Sequence, residues 1–115
     1  MIEVIVINHL TTQLQSIPVY AERPEIPDNK YIVIEKTGSS KTNHIDRATI
    51  AIQSHAQTMY DAADLNLSVK AAMESLINNN AVSKCALNSD YNYTDETTKT
   101  YRYQAVYDIT YYEGV

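Results

Sequence analysis

The chain has 115 residues, 44% of them hydrophobic and 20% charged, the size and composition of one globular domain able to bury a core without metal or disulfide support. Its formal charge is −5 and its nine Lys and Arg are scattered, which argues against free nucleic acid as the main partner, because phosphate binding needs clustered cations. One cysteine, Cys85, rules out an intrachain disulfide, and its apolar neighbours point to a buried thiol rather than a reactive one.

The opening stretch Ile2 to Ile7 is apolar but too short to span a bilayer, and it lacks the basic start of a signal peptide. No membrane contact and an intracellular site of synthesis are therefore expected. Ile2, Val4 and Val6 alternate as in a strand, yet Ile2, Val6, Leu10 and Leu14 recur every four residues with Ile5 beside them. That stripe outlasts the alternation, which stops at Asn8, and predicts a helix. Ser16-Ile17-Pro18 ends it, and Val19-Tyr20-Ala21 reads as a short extended piece. Pro24 and Pro27 then exclude helix and central-strand pairing.

Tyr31 to Lys36 is aromatic and β-branched and predicts a strand, followed by a polar loop from Thr37 to Asn43. Ala48, Ile50 and Ile52 alternate with Arg47, Thr49 and Gln53, so Asp46 to Ser54 predicts a half-buried strand. Ala62, Leu65, Val69, Ala72, Met73 and Leu76 then follow helical spacing. Thr58 with Asp61 suits its N-terminal cap, with Ser54 and Gln57 as a competing pair, and Asn78-Asn79-Asn80 suits its end. Ala81 to Tyr93 and Tyr101 to Tyr112 predict an antiparallel pair joined by the polar Thr94 to Thr100. The order implies an α+β fold: a mainly antiparallel sheet of about four to five strands with two helices packed on one face.

The closing hairpin carries Tyr91, Tyr93, Tyr101, Tyr103, Tyr107 and Tyr111, all at odd positions, in a chain of ten tyrosines with no Phe or Trp. Residues of one parity share a face of an unbroken strand, so Tyr101, Tyr103, Tyr107 and Tyr111 line one side of a ribbon, and Tyr91 and Tyr93 can join them from the neighbouring strand. A tyrosine buries a large apolar body but needs a partner for its hydroxyl. Two roles stay open for this face: packing on the domain's own core, or an interface with another subunit.

Catalytic patterns are missing. Thr37-Gly38-Ser39-Ser40-Lys41-Thr42 follows a strand, but Ser40 stands where a phosphate loop needs glycine before lysine, and a strand rather than a helix comes next. His9, His44 and His55 have no ligand spacing among them, and no Ser or Cys lies in a nucleophile motif. Asp95 and Glu96 read as a solvated turn. Neither an enzyme nor a cofactor or metal site is expected. Polar loops commonly carry contacts, so Lys41, Asn43 and His44 in one loop, Asp95 and Lys99 in the other, and Tyr103 and Tyr107 on the ribbon are the candidate interface residues.

Several segments taken together carry a resemblance: the N-terminal apolar helix, Val19-Tyr20-Ala21-Glu22-Arg23-Pro24, the strand Tyr31 to Gly38, the run Ile45 to Ser54, the alanine-rich helix, and Tyr101 to Tyr112. The pattern resembles the tail terminator, or tail completion, proteins of long-tailed bacteriophages and prophages. The resemblance covers nearly the whole chain but rests on patterning rather than on an invariant motif. It implies a virion structural protein that assembles in the host cytoplasm as a homo-oligomeric ring, typically a hexamer, on the finished tail tube. Such a ring ends polymerisation of the tail-tube protein and offers a surface to the head-tail connector protein. The acidic balance suits a ring through which DNA passes without specific binding, by like-charge repulsion. Another neck or head-completion protein, or a ligand-binding α+β domain, is the alternative.

Overall fold

A computed structural model describes residues 1–112 of the protein. Along the chain run helix α1 (Ile2–Gln13), strands β1 (Val19–Tyr20), β2 (Tyr31–Thr42) and β3 (Ile45–Ala56), helix α2 (Met59–Met73), a 3₁₀ turn (Leu76–Asn78), and strands β4 (Val82–Asn92) and β5 (Tyr101–Tyr111). The strands form a five-stranded sheet in the order β1-β2-β3-β5-β4. Every pairing is antiparallel except β1 with β2. The α+β class expected from the sequence is the one adopted, with both helices on one face of the sheet.

The four-residue stripe decides α1. Ile2, Val6 and Leu10 are fully buried and Ile5, Ile7 and Leu14 pack partly against the same core, whereas Val4, which only the strand reading needed, stays exposed. Burying three such side chains contributes on the order of 1.5–3 kcal/mol each. In α2 the periodic set Ala62, Leu65, Val69, Ala72 and Met73 faces the sheet, and Thr58 caps the helix by accepting the Asp61 N–H at 3.1 Å. Ser54, the rival cap, lies in β3 with a buried hydroxyl that has no partner. The helix stops at Met73, ahead of the asparagines, and Leu76 closes the core from the 3₁₀ turn.

His9 joins the two helices. Its Nε2–H donates to the carbonyl of Ala72 at 2.7 Å in the last turn of α2, an oxygen that also accepts from the Ser75 hydroxyl at 2.9 Å and the Ser75 N–H at 3.2 Å. A second seam links α2 to β4: Asn66 Nδ2 donates to Asp90 at 2.7 Å, and Lys70 pairs with the other oxygen. Burial pushes the Asp90 carboxyl up, but the hydrogen bonds from Lys70 and Asn66 together with the Lys70 charge outweigh it and hold the group below its usual range.

The polar segment expected to be a loop from Thr37 to Asn43 is instead the far half of β2, paired with β3 as far as Thr42 opposite Ile45. A bulge at Thr37 shifts the register, and Asn43 and His44 close a two-residue turn with φ of 53° and 66°. Two successive positive φ values are the hairpin geometry that matches strand twist. The alternation that betrays a strand is missing because this half has run past the helix layer, so residues on both of its faces are exposed.

Candidate functional site

Ladder pairing fixes which side chains share a face. The helix side of β3 and β5 carries Ala48 opposite Ile109, Ile50 opposite Tyr107 and Ile52 opposite Ala105, all buried. Tyr107 is only 6% exposed within this core. Its placement as an interface residue is therefore corrected: the side chain has no surface to offer a partner, and burial, with smaller effects of Cys85, Asp90 and Glu74, pushes its phenol up to about 12. Tyr111 is buried on the same side, while Tyr103 and Tyr101, towards the far end, stay half-exposed. Cys85, expected to be buried, is half-buried where it packs against this core, and burial raises its thiol to about 11.

Tyr91 and Tyr93 do not join that ribbon. Leu87 pairs with Tyr107, but the next matched pair is Ser89 with Val106, so Asn88 is an extra residue in β4. One inserted residue reverses parity. Tyr91 is thereby set opposite Gln104, on the face that no helix covers. Asp108 holds the bulge on that open face, accepting from Asn88 Nδ2 at 2.8 Å and from the Thr49 hydroxyl at 2.9 Å.

The open face carries a connected polar and aromatic band across the sheet. The His55 ring stacks on Tyr31 with centroids 4.5 Å apart, and Tyr31 meets Tyr20 edge-on at 6.2 Å. His55 Nε2 lies 3.2 Å from Gln53 Oε1, Gln53 Nε2 donates to Gln104 Oε1 at 3.0 Å, and Gln104 Nε2 donates to the Tyr91 hydroxyl. That sequence of donors puts the imidazole proton on Nε2 and leaves the Tyr91 O–H free to donate outward. Tyr93 packs edge-to-face on Tyr91 at 5.8 Å, with the Arg102 guanidinium 4.5 Å above its ring. Tyr91 and Tyr93 are more than 40% exposed, so this band ends in an accessible aromatic pair beside a cation.

His55 is 3% exposed, and its Nδ1 is buried without a partner. Burial, reinforced by the positive charges of Arg102 and Arg23, pushes the imidazole down to about 4 and keeps it neutral near pH 7. Beside it, Arg23, Asp28, Tyr31, Lys99 and Tyr101 line a cleft of about 480 Å³. Asp28 accepts a hydrogen bond from Tyr20 at 2.6 Å, which raises the Tyr20 phenol.

The remaining candidates fall into two groups. Lys41, Asn43 and His44 lie at the tip of the β2–β3 hairpin, whereas Asp95 and Lys99 occupy the β4–β5 turn beyond the other end of β3. Twelve residues of β3 separate the two tips, a span of roughly 35–40 Å at strand rise. The β4–β5 turn is internally bonded: Asp95 and Thr100 exchange both backbone hydrogen bonds at 3.0 Å, Asp95 Oδ1 accepts from Thr97 N at 3.0 Å, and Lys99 adopts φ 57°. Sequence reading missed the buried pair His55 and Gln104, whose signal is slight: two polar residues on the strand side opposite the apolar one. Among the described residues no helix is long and apolar enough to cross a membrane. Comparison with protein-family models and with curated proteins finds no match to this chain.

Proposed function

We propose that this protein is a structural subunit of the tail-terminator type, building a closed ring that caps a phage tail tube and presents a joining surface to the head-tail connector. The observation that carries the reading is a sheet with two dissimilar uncovered edges. At one, β1 pairs only with Ile32 and Val33 and leaves β2 bare from Ile34 onward; at the other, β4 is the last strand in the order. A ring needs two different, complementary surfaces on each subunit, joined head to tail until the rotation closes. The exposed Tyr91–Tyr93 pair with Arg102 adds side-chain types enriched at protein interfaces. The net charge of −5 lets DNA pass a lumen without sticking.

Native mass measured with and without tail-tube protein tests this. The expected result is one discrete closed oligomer, six copies by family resemblance, that forms alone or on the tube. A monomer in both conditions overturns it. A ligand-binding role draws on the cleft beside His55, and a thermal shift with small anionic ligands at constant oligomeric state would favour that instead.

A further inference from the structure

The registers across the sheet place its two open edges at matching heights. Gly38 pairs with Thr49, Thr49 with Asp108, and Asp108 with Ala86. Lys36 reaches Leu87 through Ile50 and Tyr107, and Glu35 reaches Ser89 through Ala51 and Val106. Of the part of β2 that β1 leaves bare, Ile34 to Lys41 therefore spans the same height as Val82 to Asp90, the first nine residues of β4. Both edges also bend at nearly one height, at Thr37 and at Asn88.

We propose that the bare half of β2 in one copy adds antiparallel to the edge of β4 in the next, joining the sheets with Gly38 opposite Ala86, Lys36 opposite Leu87 and Glu35 opposite Ser89. This rests on the ring reading above and specifies the contact that closes it. A copy rotated about an axis along the strands cannot shift along that axis, so residues that meet must share a height, and these do. Strand direction agrees: β2 is antiparallel to β3, and β4 runs parallel to β3, so β4 and the incoming β2 run in opposite senses. The helices of all copies then stay on one side.

The occupant is a second copy because the edges complement each other. β4 spans eleven residues, about twice the usual strand, with no proline. An uncovered edge of that length invites pairing with another chain. Lys36 of the incoming strand lands on the helix side beside Leu87, which is 49% exposed, and diagonally from Asp90. Diagonal neighbours on one face are within reach of long side chains. Lys36 brings Glu3, 3.7 Å from its Nζ, and Asp90 brings Lys70, so the seam becomes a row of alternating charges.

Disulfide trapping tests the register in a Cys85→Ala background. Within one subunit β2 and β4 are three strand spacings apart, roughly 14 Å, well beyond disulfide reach. Any Gly38–Ala86 bridge is therefore between copies. A Cβ at Gly38 meets nothing within 4 Å, so Gly38→Cys is sterically free. Adjacent ladder pairs alternate in geometry, so Glu35→Cys with Ser89→Cys serves as a second pair. The expected result is a ladder of covalent multimers on a non-reducing gel, ending at the size that native mass reports, from a double variant but from neither single one. A wild-type ring whose double variants both stay uncrosslinked overturns the edge pairing while leaving the ring reading intact. Dimers from Ala86→Cys or Ser89→Cys alone overturn it in favour of β4 pairing with itself. Trapped rings that do not bind tail tube uphold the edge pairing and overturn the assigned function.

Discussion

Stability should fall steeply as pH drops from 7 towards 4.5, and His55 should be the cause. Its imidazole titrates near 6.5 in an unfolded chain but is pushed down to about 4 in the fold by burial and by Arg102 and Arg23. Between those values the unfolded state binds more protons than the native one, so stability is complete above about 6.5 and drains away as pH falls towards 4. A displacement of that size corresponds to about 3 kcal/mol. Only part of it has been lost by pH 4.5, where linkage gives roughly 2–3 kcal/mol relative to pH 7.5. For a domain stable by roughly 5–15 kcal/mol, that is a readily measured fraction.

Urea titrations at pH 7.5, 6.5, 5.5 and 4.5 on wild type and His55→Gln isolate the effect. Glutamine keeps an amide donor towards Gln53 but cannot take up the proton, and carboxylates common to both proteins cancel in the difference. Asp90, held below its usual range, loses its contribution only as pH falls through the carboxylate range, at the lower edge of this window. Relative to the variant, the wild type should lose roughly 2–3 kcal/mol from pH 7.5 to 4.5. Parallel stability curves, or an NMR titration of His55 with a midpoint above 6, would refute the reasoning.

Tyr107→Asp should abolish folding, because an unpaired charge in the core costs several kcal/mol, while Tyr103→Asp should retain a cooperative thermal melt by circular dichroism. Thr58→Ala should destabilise by about 1 kcal/mol through loss of the α2 cap, whereas Ser54→Ala should stabilise by a similar amount by removing a buried hydroxyl without a partner, both read by chemical denaturation. Deleting Asn88 should cost about as much denaturation free energy as Asn88→Ala, and a several-fold larger cost would refute its assignment as the extra residue of the bulge. Both changes lose one hydrogen bond of about 1 kcal/mol to Asp108, and the deletion leaves Leu87 and Ser89 as neighbours opposite the adjacent Tyr107 and Val106, so no side chain changes face.

The legible part of the fold is the part whose faces differ in polarity. α1 was decided by a stripe that outlasted a competing alternation, and α2 by its spacing and by Thr58, because in both helices one side meets the core and the other meets water. The far half of β2 was not legible, since residues exposed on both faces carry no alternation, and Asn43-His44 lacks the glycine that usually marks such a turn. The candidate surface was legible in composition but not in placement. The tyrosines of the last strand divide between core and rim, with Tyr107 in the core, while His55 and Gln104, polar by type, proved buried.

The division of the tyrosines follows from one residue. Were Asn88 paired regularly instead of bulged, the odd positions after Leu87 would stay on the helix side, and Tyr91 and Tyr93 would crowd the start of α2 next to Met59. The bulge at Asn88 keeps Cys85 and Leu87 on the core side, where they pair with Ile109 and Tyr107, and sends Tyr91 to Gln104 on the open face. It also leaves Asp90 on the helix side, where Asn66 and Lys70 hold it. A single insertion thus lets one strand serve two tasks: its first half completes the subunit's core, and its second half supplies the exposed aromatic pair over Arg102. Asn88 lies beside Leu87 and Ser89, the β4 positions matched in height to Lys36 and Glu35, so the same bend that sorts the tyrosines also shapes the edge on which ring closure is proposed to depend.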